Sequence, residues 1–289
     1  MDAIVPFTVG GGAMRGRLVR LSAAAHDAIA RQEVPDAVGR LLGEAMALAA
    51  ALGGSLKFKG VMTLQTESDG PVSRLVADAT SDGDLRANAA FDARRLAALA
   101  GPGFADLVGR GQLAFTVDQG VHTERYQGIV PLAGESLAAS AAEYFRRSEQ
   151  IETELTLAAS PPAEGYGWRA GALLLQRLPL AGASEADDDA WETASVFHRS
   201  LTAAELLDPA LADEALLTRL FATLEARMFP ASPLRFGCRC SEMRLEGILR
   251  GMEPEDLIAA ATGGRIEVTC EFCKTSYVFP LSRLLPTRH

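Results

Sequence analysis

Across residues 35–52, Val38, Leu41, Leu42, Ala45, Met46, Ala49 and Leu52 recur at helical spacing, and Gly53-Gly54 follows as a natural stop. One face of that helix is expected to be buried. The period then changes. Residues 55–66, 72–80 and 85–91 read as strands, separated by Asp69-Gly70-Pro71 and Ser81-Asp82-Gly83-Asp84, whose compositions favour turns. They predict antiparallel hairpins. A further strand pair, 111–117 and 124–131, follows a glycine-rich loop, and a helix is expected over 136–148. Short strands joined by turns, with helices before and after, favour an α+β domain over a parallel doubly wound one.

After Ala181-Gly182-Ala183 the pattern becomes helical again. Thr202-Ala-Ala-Glu205 has capping-box spacing, and Leu216, Leu217, Leu220, Phe221 and Leu224 mark one apolar helix face. This stretch reads as a helical linker, charged on one side and apolar on the other. The competing reading is a pair of amphipathic helices packed permanently on the first domain. The expected organisation is an N-terminal α+β domain over 1–182, an acidic helical linker over 183–231 and a small C-terminal domain over 232–289 that carries all four cysteines.

With 48% apolar residues in a chain of 289, a sizeable core is available, and the length suits a large domain plus a small one. The formal net charge is −9. It concentrates in residues 184–226, where ten acidic side chains face only Arg199 and Arg219. From Cys238 onward, seven basic and seven acidic residues cancel, so that end has no electrostatic reason to bind a nucleic-acid backbone. The start, Met-Asp-Ala-Ile-Val-Pro, lacks the basic, then apolar, character of a signal peptide, and the longest apolar stretch is too short to span a bilayer. A cytoplasmic protein without membrane contact is expected. In that reducing setting cysteines serve metal binding or redox chemistry more often than structural disulfides.

All four cysteines lie near the end, as Cys238-Arg-Cys240 and Cys270-Glu-Phe-Cys273, separated by 29 residues. Two close pairs supply the four thiolates of a tetrahedral site, and soft sulfur ligands in a closed shell point to zinc. A segment as short as 232–289 buries little apolar surface, and a metal would staple it. Four thiolates around a divalent cation leave a formal charge of about −2 and keep the sulfurs open to oxidants. Arg239 and Lys274 stand beside the ligands and would offset part of that charge. Oxidation within either pair would remove two ligands at once. A permanently structural zinc, or four buried inert cysteines, are the plainer alternatives.

Other chemistry is thin. His26, His122, His198 and His289 are scattered and form no set of nucleophile, base and orienter, so no catalytic residue is assigned and no enzyme is expected. Trp168 and Trp191 read as core or linker anchors, and Tyr144 and Phe145 as core. The only lysines are Lys57, Lys59 and Lys274, and none follows glycine, so no G-x-x-x-x-G-K-[ST] phosphate loop exists. A thiol-disulfide enzyme would place Cys270-Glu-Phe-Cys273 at a helix N-terminus, whereas Arg265-Ile-Glu-Val-Thr and Tyr277-Val-Phe read as flanking strands. That enzyme, and a constitutive zinc ribbon binding nucleic acid or a partner, remain the rival readings.

Cys238-Arg-Cys240-Ser and Val268-Thr-Cys270-Glu-Phe-Cys273 resemble the terminal signature of the bacterial redox-regulated holdase chaperones of the heat shock protein 33 family. Leu42-Gly-Glu-Ala45, Gly60-Val-Met-Thr-Leu-Gln65, Asp69-Gly-Pro71, Glu124-Arg-Tyr-Gln-Gly-Ile-Val-Pro131 and Glu143-Tyr-Phe-Arg-Arg-Ser-Glu-Gln150 resemble segments of that family's first domain. The resemblance covers nearly the whole chain and is weakest over 161–228. It implies a protein that, when reduced, holds zinc through Cys238, Cys240, Cys270 and Cys273 and is inactive as a chaperone. It further implies that oxidants form Cys238–Cys240 and Cys270–Cys273 disulfides, zinc departs, and the terminal domain and linker loosen. The oxidised homodimer would then hold unfolding client proteins under oxidative stress without ATP.

Overall fold

The computed structural model describes residues 2–54, 59–120, 125–132, 135–179 and 185–285. The chain begins with β1 (Ala3–Val9), β2 (Met14–Leu21), α1 (Ala23–Ala30) and α2 (Asp36–Gly53). There follow β3 (Val61–Ser68), β4 (Val72–Thr80), β5 (Asp84–Phe91), α3 (Ala93–Ala97), α4 (Phe104–Val108), β6 (Gly111–Asp118) and β7 (Tyr126–Pro131). Next come α5 (Leu137–Tyr144), β8 (Thr153–Ser160), β9 (Arg169–Arg177), α6 (Glu185–Arg199), α7 (Ala203–Leu207) and α8 (Asp213–Phe221). Three short strands, β10 (Arg227–Met228), β11 (Ser232–Pro233) and β12 (Arg235–Phe236), precede α9 (Glu242–Arg250), α10 (Pro254–Ala260), β13 (Arg265–Thr269), β14 (Ser276–Pro280) and α11 (Leu281–Leu284). These elements form two compact units, Met1–Phe236 and Gly237–His289. The mixed class is the expected α+β.

In the first unit one sheet runs β10-β1-β2-β9-β8, with β11 also on β1, and the other runs β12-β5-β4-β3-β6-β7. All neighbours are antiparallel except β12, which lies parallel to β5. Helix α2 packs on β3, β4 and β5 of one sheet and on β2, β8 and β9 of the other. The sequence predicted one buried face; both are buried, because Ala47, Leu48 and Ala51 extend the apolar surface around the helix. Small residues allow the close approach. A Cβ on Gly39 would stand 2.3 Å from the Trp168 ring.

The first sheet is apolar on both faces. On β9, Ala170, Ala172 and Leu174 join the α2 core, while Leu173 and Leu175 point to a second cluster. That cluster is completed by Trp191 of α6, Leu206 of α7, and Leu216, Leu217, Leu220 and Phe221 of α8. The rings of Phe7 and Phe221 stack with centroids 5.7 Å apart. Each such buried Leu or Phe contributes roughly 1.5–3 kcal/mol, so apolar burial seats these helices on the sheet. The expected capping box is formed: Glu205 N–H donates to Thr202 Oγ1 at 3.2 Å, and Thr202 N–H donates to Glu205 Oε2 at 3.0 Å.

Several boundaries differ from expectation. Of the strand expected at 55–66, residues 55–58 lie outside the described ones, and β3 begins at Val61. Glu124, His122 and His289 also lie outside. The helix expected over 136–148 is α-helical only to Tyr144 and then widens into a π-turn over Phe145–Glu149. The wider turn carries Glu149 back to accept from Tyr144 Oη at 2.7 Å. The first compact unit runs to Phe236: Arg235 and Phe236 pair with Asp84 and Leu85, and Arg31 covers the Phe236 ring at 5.1 Å. The boundary expected at 182/183 lies outside the described residues. Among the described residues no helix is long and apolar enough to cross a membrane.

Candidate metal centre

Two turns of the second unit carry the cysteines. Cys238 and Cys240 lie just ahead of Ser241, whose side chain accepts from Arg244 N–H at 3.2 Å and so starts α9. Cys270 to Cys273 form the bend between β13 and β14, whose register pairs Thr269 with Ser276. Cys270 N–H donates to Thr275 O, and Lys274 N–H to Cys270 O, both at 2.9 Å. Lys274 adopts φ 59°, the left-handed conformation that reverses the chain there. The C-x-x-C bend thus sits between strands, as expected, and not at a helix N-terminus.

The four sulfurs converge. Cys238 Sγ lies 3.4 Å from Cys240 Sγ and 3.7 Å from Cys270 Sγ, and Cys240 Sγ lies 3.4 Å from Cys273 Sγ. All four are within 4.8 Å of one another. Thiolates 2.3 Å from a central zinc at tetrahedral angles stand about 3.8 Å apart, so the donor set fits that ion in number, element and size. Zinc held there would take all four protein ligands and present no open coordination position.

Burial pushes the Cys240 thiol up to about 12, against a hydrogen bond with Tyr277 that favours its thiolate, and burial also raises Cys270. Burial would raise Cys273 too, but hydrogen bonds with Thr275 and the neighbouring thiols bring it down to about 6. Crowded sulfurs compete for ionisation; four thiolates together call for a cation among them. The hydroxyls of Tyr277 and Thr275, 3.3 Å from Cys240 Sγ and Cys273 Sγ, were not singled out in the sequence. Their nearness to Cys273 in the chain is the only signal they carry.

The unit around this centre has a small core: Leu249, Leu257, Ile266, Phe279 and Leu284 are its buried cluster. Among the described residues, both histidines lie in the first unit and are held there by main-chain partners. His198 is buried against Leu173 O at 3.0 Å, and burial lowers its pKa; His26 Nδ1 accepts from Trp168 N–H at 3.4 Å. Trp168, Trp191 and Tyr144 are buried and Phe145 packs on the core, as expected.

The family model described as Hsp33 protein matches residues 2–280. A 33 kDa chaperonin of Caulobacter vibrioides is 38% identical over 283 residues, covering 96% of this chain and 94% of its own. A 33 kDa chaperonin of Pseudomonas fluorescens is 39% identical over 269 residues, covering 92% and 86%. The crystal structure of the 33 kDa chaperonin (heat shock protein 33 homolog) of Thermotoga maritima superimposes with a TM-score of 0.84 at 23% identity, over 98% of this chain and 97% of that one. The terminal cysteine pairs, the fold that carries them and this match along nearly all of the sequence have one explanation: the chain belongs to the Hsp33 protein family.

Proposed function

We propose that this chain is a redox-regulated, ATP-independent holdase chaperone, latent while Cys238, Cys240, Cys270 and Cys273 hold zinc and active once they are oxidised. The observation that carries this reading is four sulfurs within 4.8 Å of one another, in a unit whose buried apolar cluster holds five side chains.

Bound zinc supplies the positive charge that keeps all four sulfurs deprotonated at neutral pH. Toward a peroxide, one thiolate of a pair attacks oxygen to give a sulfenic acid and hydroxide. The second thiolate then attacks that sulfur, closing a disulfide and expelling a second hydroxide, so each pair gives two electrons to one peroxide. We assign the disulfides to Cys238–Cys240 and Cys270–Cys273. Each withdraws two of the four donors, and zinc binding in small domains is worth about 10 kcal/mol of folding free energy, so the segment 232–289 unfolds.

With that segment unfolded, the linker, 183–231, loosens in turn. Its helices α6, α7 and α8 cover Phe7, Leu18, Leu173 and Leu175 on the first sheet. Lifting them bares a continuous apolar face for the exposed segments of unfolding proteins. The core domain, 1–182, holds the client, and the oxidised form is a homodimer acting in the cytoplasm.

The test is a titration of peroxide against zinc release, followed beside suppression of aggregation of a thermally unfolding protein. Suppression should rise as zinc leaves and fall when a thiol reductant is added. Equal suppression by the reduced, zinc-loaded form would leave a constitutive chaperone instead.

A further inference from the structure

Away from the cysteines, Glu44 stands in the middle of α2, among residues that are otherwise buried and apolar. With Arg40, it lines a pocket of about 320 Å³ walled by Ala37, Leu41, Pro102, Phe104 and Leu107, with Glu135 exposed at its edge. Among the described residues, Glu44 makes no hydrogen bond or ion pair. Arg40, one turn earlier, donates to Ala159 O at 2.9 Å and acts on Glu44 only through its charge. Burial pushes the Glu44 carboxyl up to about 7. A carboxylate so placed is held at a cost that a cationic group would offset.

The lining selects the ligand. Once Glu44 is ionised, two carboxylates against the single guanidinium of Arg40 leave the lining net negative, which disfavours phosphates and other anions. The only cluster of three or more metal-ligating side chains among the described residues is the cysteine site, so Glu44 and Glu135 lack the further donors that a metal ion would want. A pocket at the low end of the usual range of about 300–1,000 Å³ suits one long side chain better than a whole cofactor. Apolar walls with a carboxylate among them match an aliphatic or guanidinium cation, whose stem packs on Phe104 and Leu107.

We propose that this pocket receives a lysine or arginine side chain from an extended apolar segment of an unfolded polypeptide, its charged head on Glu44 and Glu135. The proposal rests on the reading of the chain as a holder of unfolded protein. It adds a second contact point, lined by residues of the first unit and by none of α6, α7 or α8, and so open without linker release.

The test is fluorescence anisotropy on the reduced full-length protein, with a labelled apolar peptide containing one lysine and the same peptide with glutamine in its place. Wild type should bind the lysine peptide about tenfold more tightly, the scale of a desolvated charge pair. Glu44→Gln should abolish that preference without weakening the glutamine peptide, and Glu135→Gln should reduce it. Circular dichroism checks the fold of Glu44→Gln; should it fail to fold, Glu135→Gln at the exposed edge decides. Equal binding of both peptides by wild type, or an unchanged preference in both variants, overturns the proposal. So does displacement of the lysine peptide by free spermidine as readily as by unlabelled peptide. Aggregation suppression by the oxidised wild type is measured in parallel. Its absence sinks the holdase reading, whereas suppression without lysine preference sinks only the pocket.

Discussion

Arg20 on β2 forms an ion pair with Asp213 in the first turn of α8 at 3.3 Å. The same guanidinium donates to the carbonyls of Glu205 and Asp208 at 3.0 and 3.3 Å and to that of Leu211. Arg169 on β9 donates to Leu207 O at 2.9 Å. One sheet therefore grips the end of α7 and the turn leading into α8 by their main chain, beside the apolar seat made by Leu206 and Leu216.

Removing that grip should loosen the linker before any oxidant acts. Hydrogen bonds from a charged donor contribute about 1.5–3 kcal/mol each when partly buried, so Arg20→Met should cost the docked helices about 2–3 kcal/mol. Limited proteolysis of the reduced variant should cut between residues 202 and 213 faster than in wild type. Less peroxide should also be needed for half-maximal suppression of aggregation. Unchanged cleavage would mean that apolar packing alone holds these helices.

Glu44 should make the first unit's stability depend on pH. Its carboxyl, ordinarily at 4.5, is raised to about 7 by burial, tempered by Arg40. The folded state therefore holds the proton more tightly than the unfolded chain. That stabilisation is fully present below about 4.5 and is lost as pH rises through about 7. Across this window the contribution is about 3 kcal/mol. Thermal unfolding should show Glu44→Gln gaining on wild type as pH goes from 5 to 8. Parallel curves for the two proteins would show that the carboxyl is not perturbed.

How far this was legible in the chain depends on how local each signal is. β4 occupies the expected 72–80, since Asp69-Gly70-Pro71 and Ser81-Asp82-Gly83 set its ends by turn chemistry. The α2 stop at Gly53 and the cap at Thr202 are equally local. By contrast the sequence pattern does not mark β1, β2, β8 and β9 as strands. Both faces of their sheet are buried, so Ala-Gly-Ala-Leu-Leu-Leu on β9 shows no alternation, and their pairing joins distant residues such as Arg15 and Gln176. The four cysteines were legible because metal-ligand spacing is a short-range signal. The Glu44 pocket was not, since its wall is completed by Phe104 and Leu107, far along the chain.

Taking the metal from the reduced protein with a chelator should unfold Gly237–His289 and leave Met1–Phe236 folded. The five side chains of the smaller unit's buried apolar cluster supply roughly 1.5–3 kcal/mol each, less than the backbone ordering that they must offset at about 1–2 kcal/mol per residue. Amide exchange should show Ile266 and Phe279 losing protection while Leu42 and Leu64 keep theirs. Cys273→Ser should behave like the chelated protein. Retained protection at Phe279 in the stripped protein would assign the fold of this unit to its apolar core and remove the latch.

The pairing of the oxidised cysteines is the remaining prediction, and distance alone does not choose it. Cys238 Sγ is 3.4 Å from Cys240 and 3.7 Å from Cys270, so pairing within a turn and pairing between turns both start from contact. Unfolding separates the two outcomes. A Cys238–Cys270 or Cys240–Cys273 bond would keep the two turns tied after the ion has left, whereas bonds within each turn leave the 29 intervening residues unconstrained. Only pairing within the turns therefore couples oxidation to melting of this unit. Tryptic digestion of the oxidised protein without reductant reads the result directly, because cleavage after Arg239 parts Cys238 from Cys240. Those two peptides should stay joined by a disulfide to each other, and Cys270 and Cys273 should remain bonded within one peptide. A main product joining Cys238 to Cys270, or Cys240 to Cys273, would leave the oxidised unit stapled and contradict the proposed release.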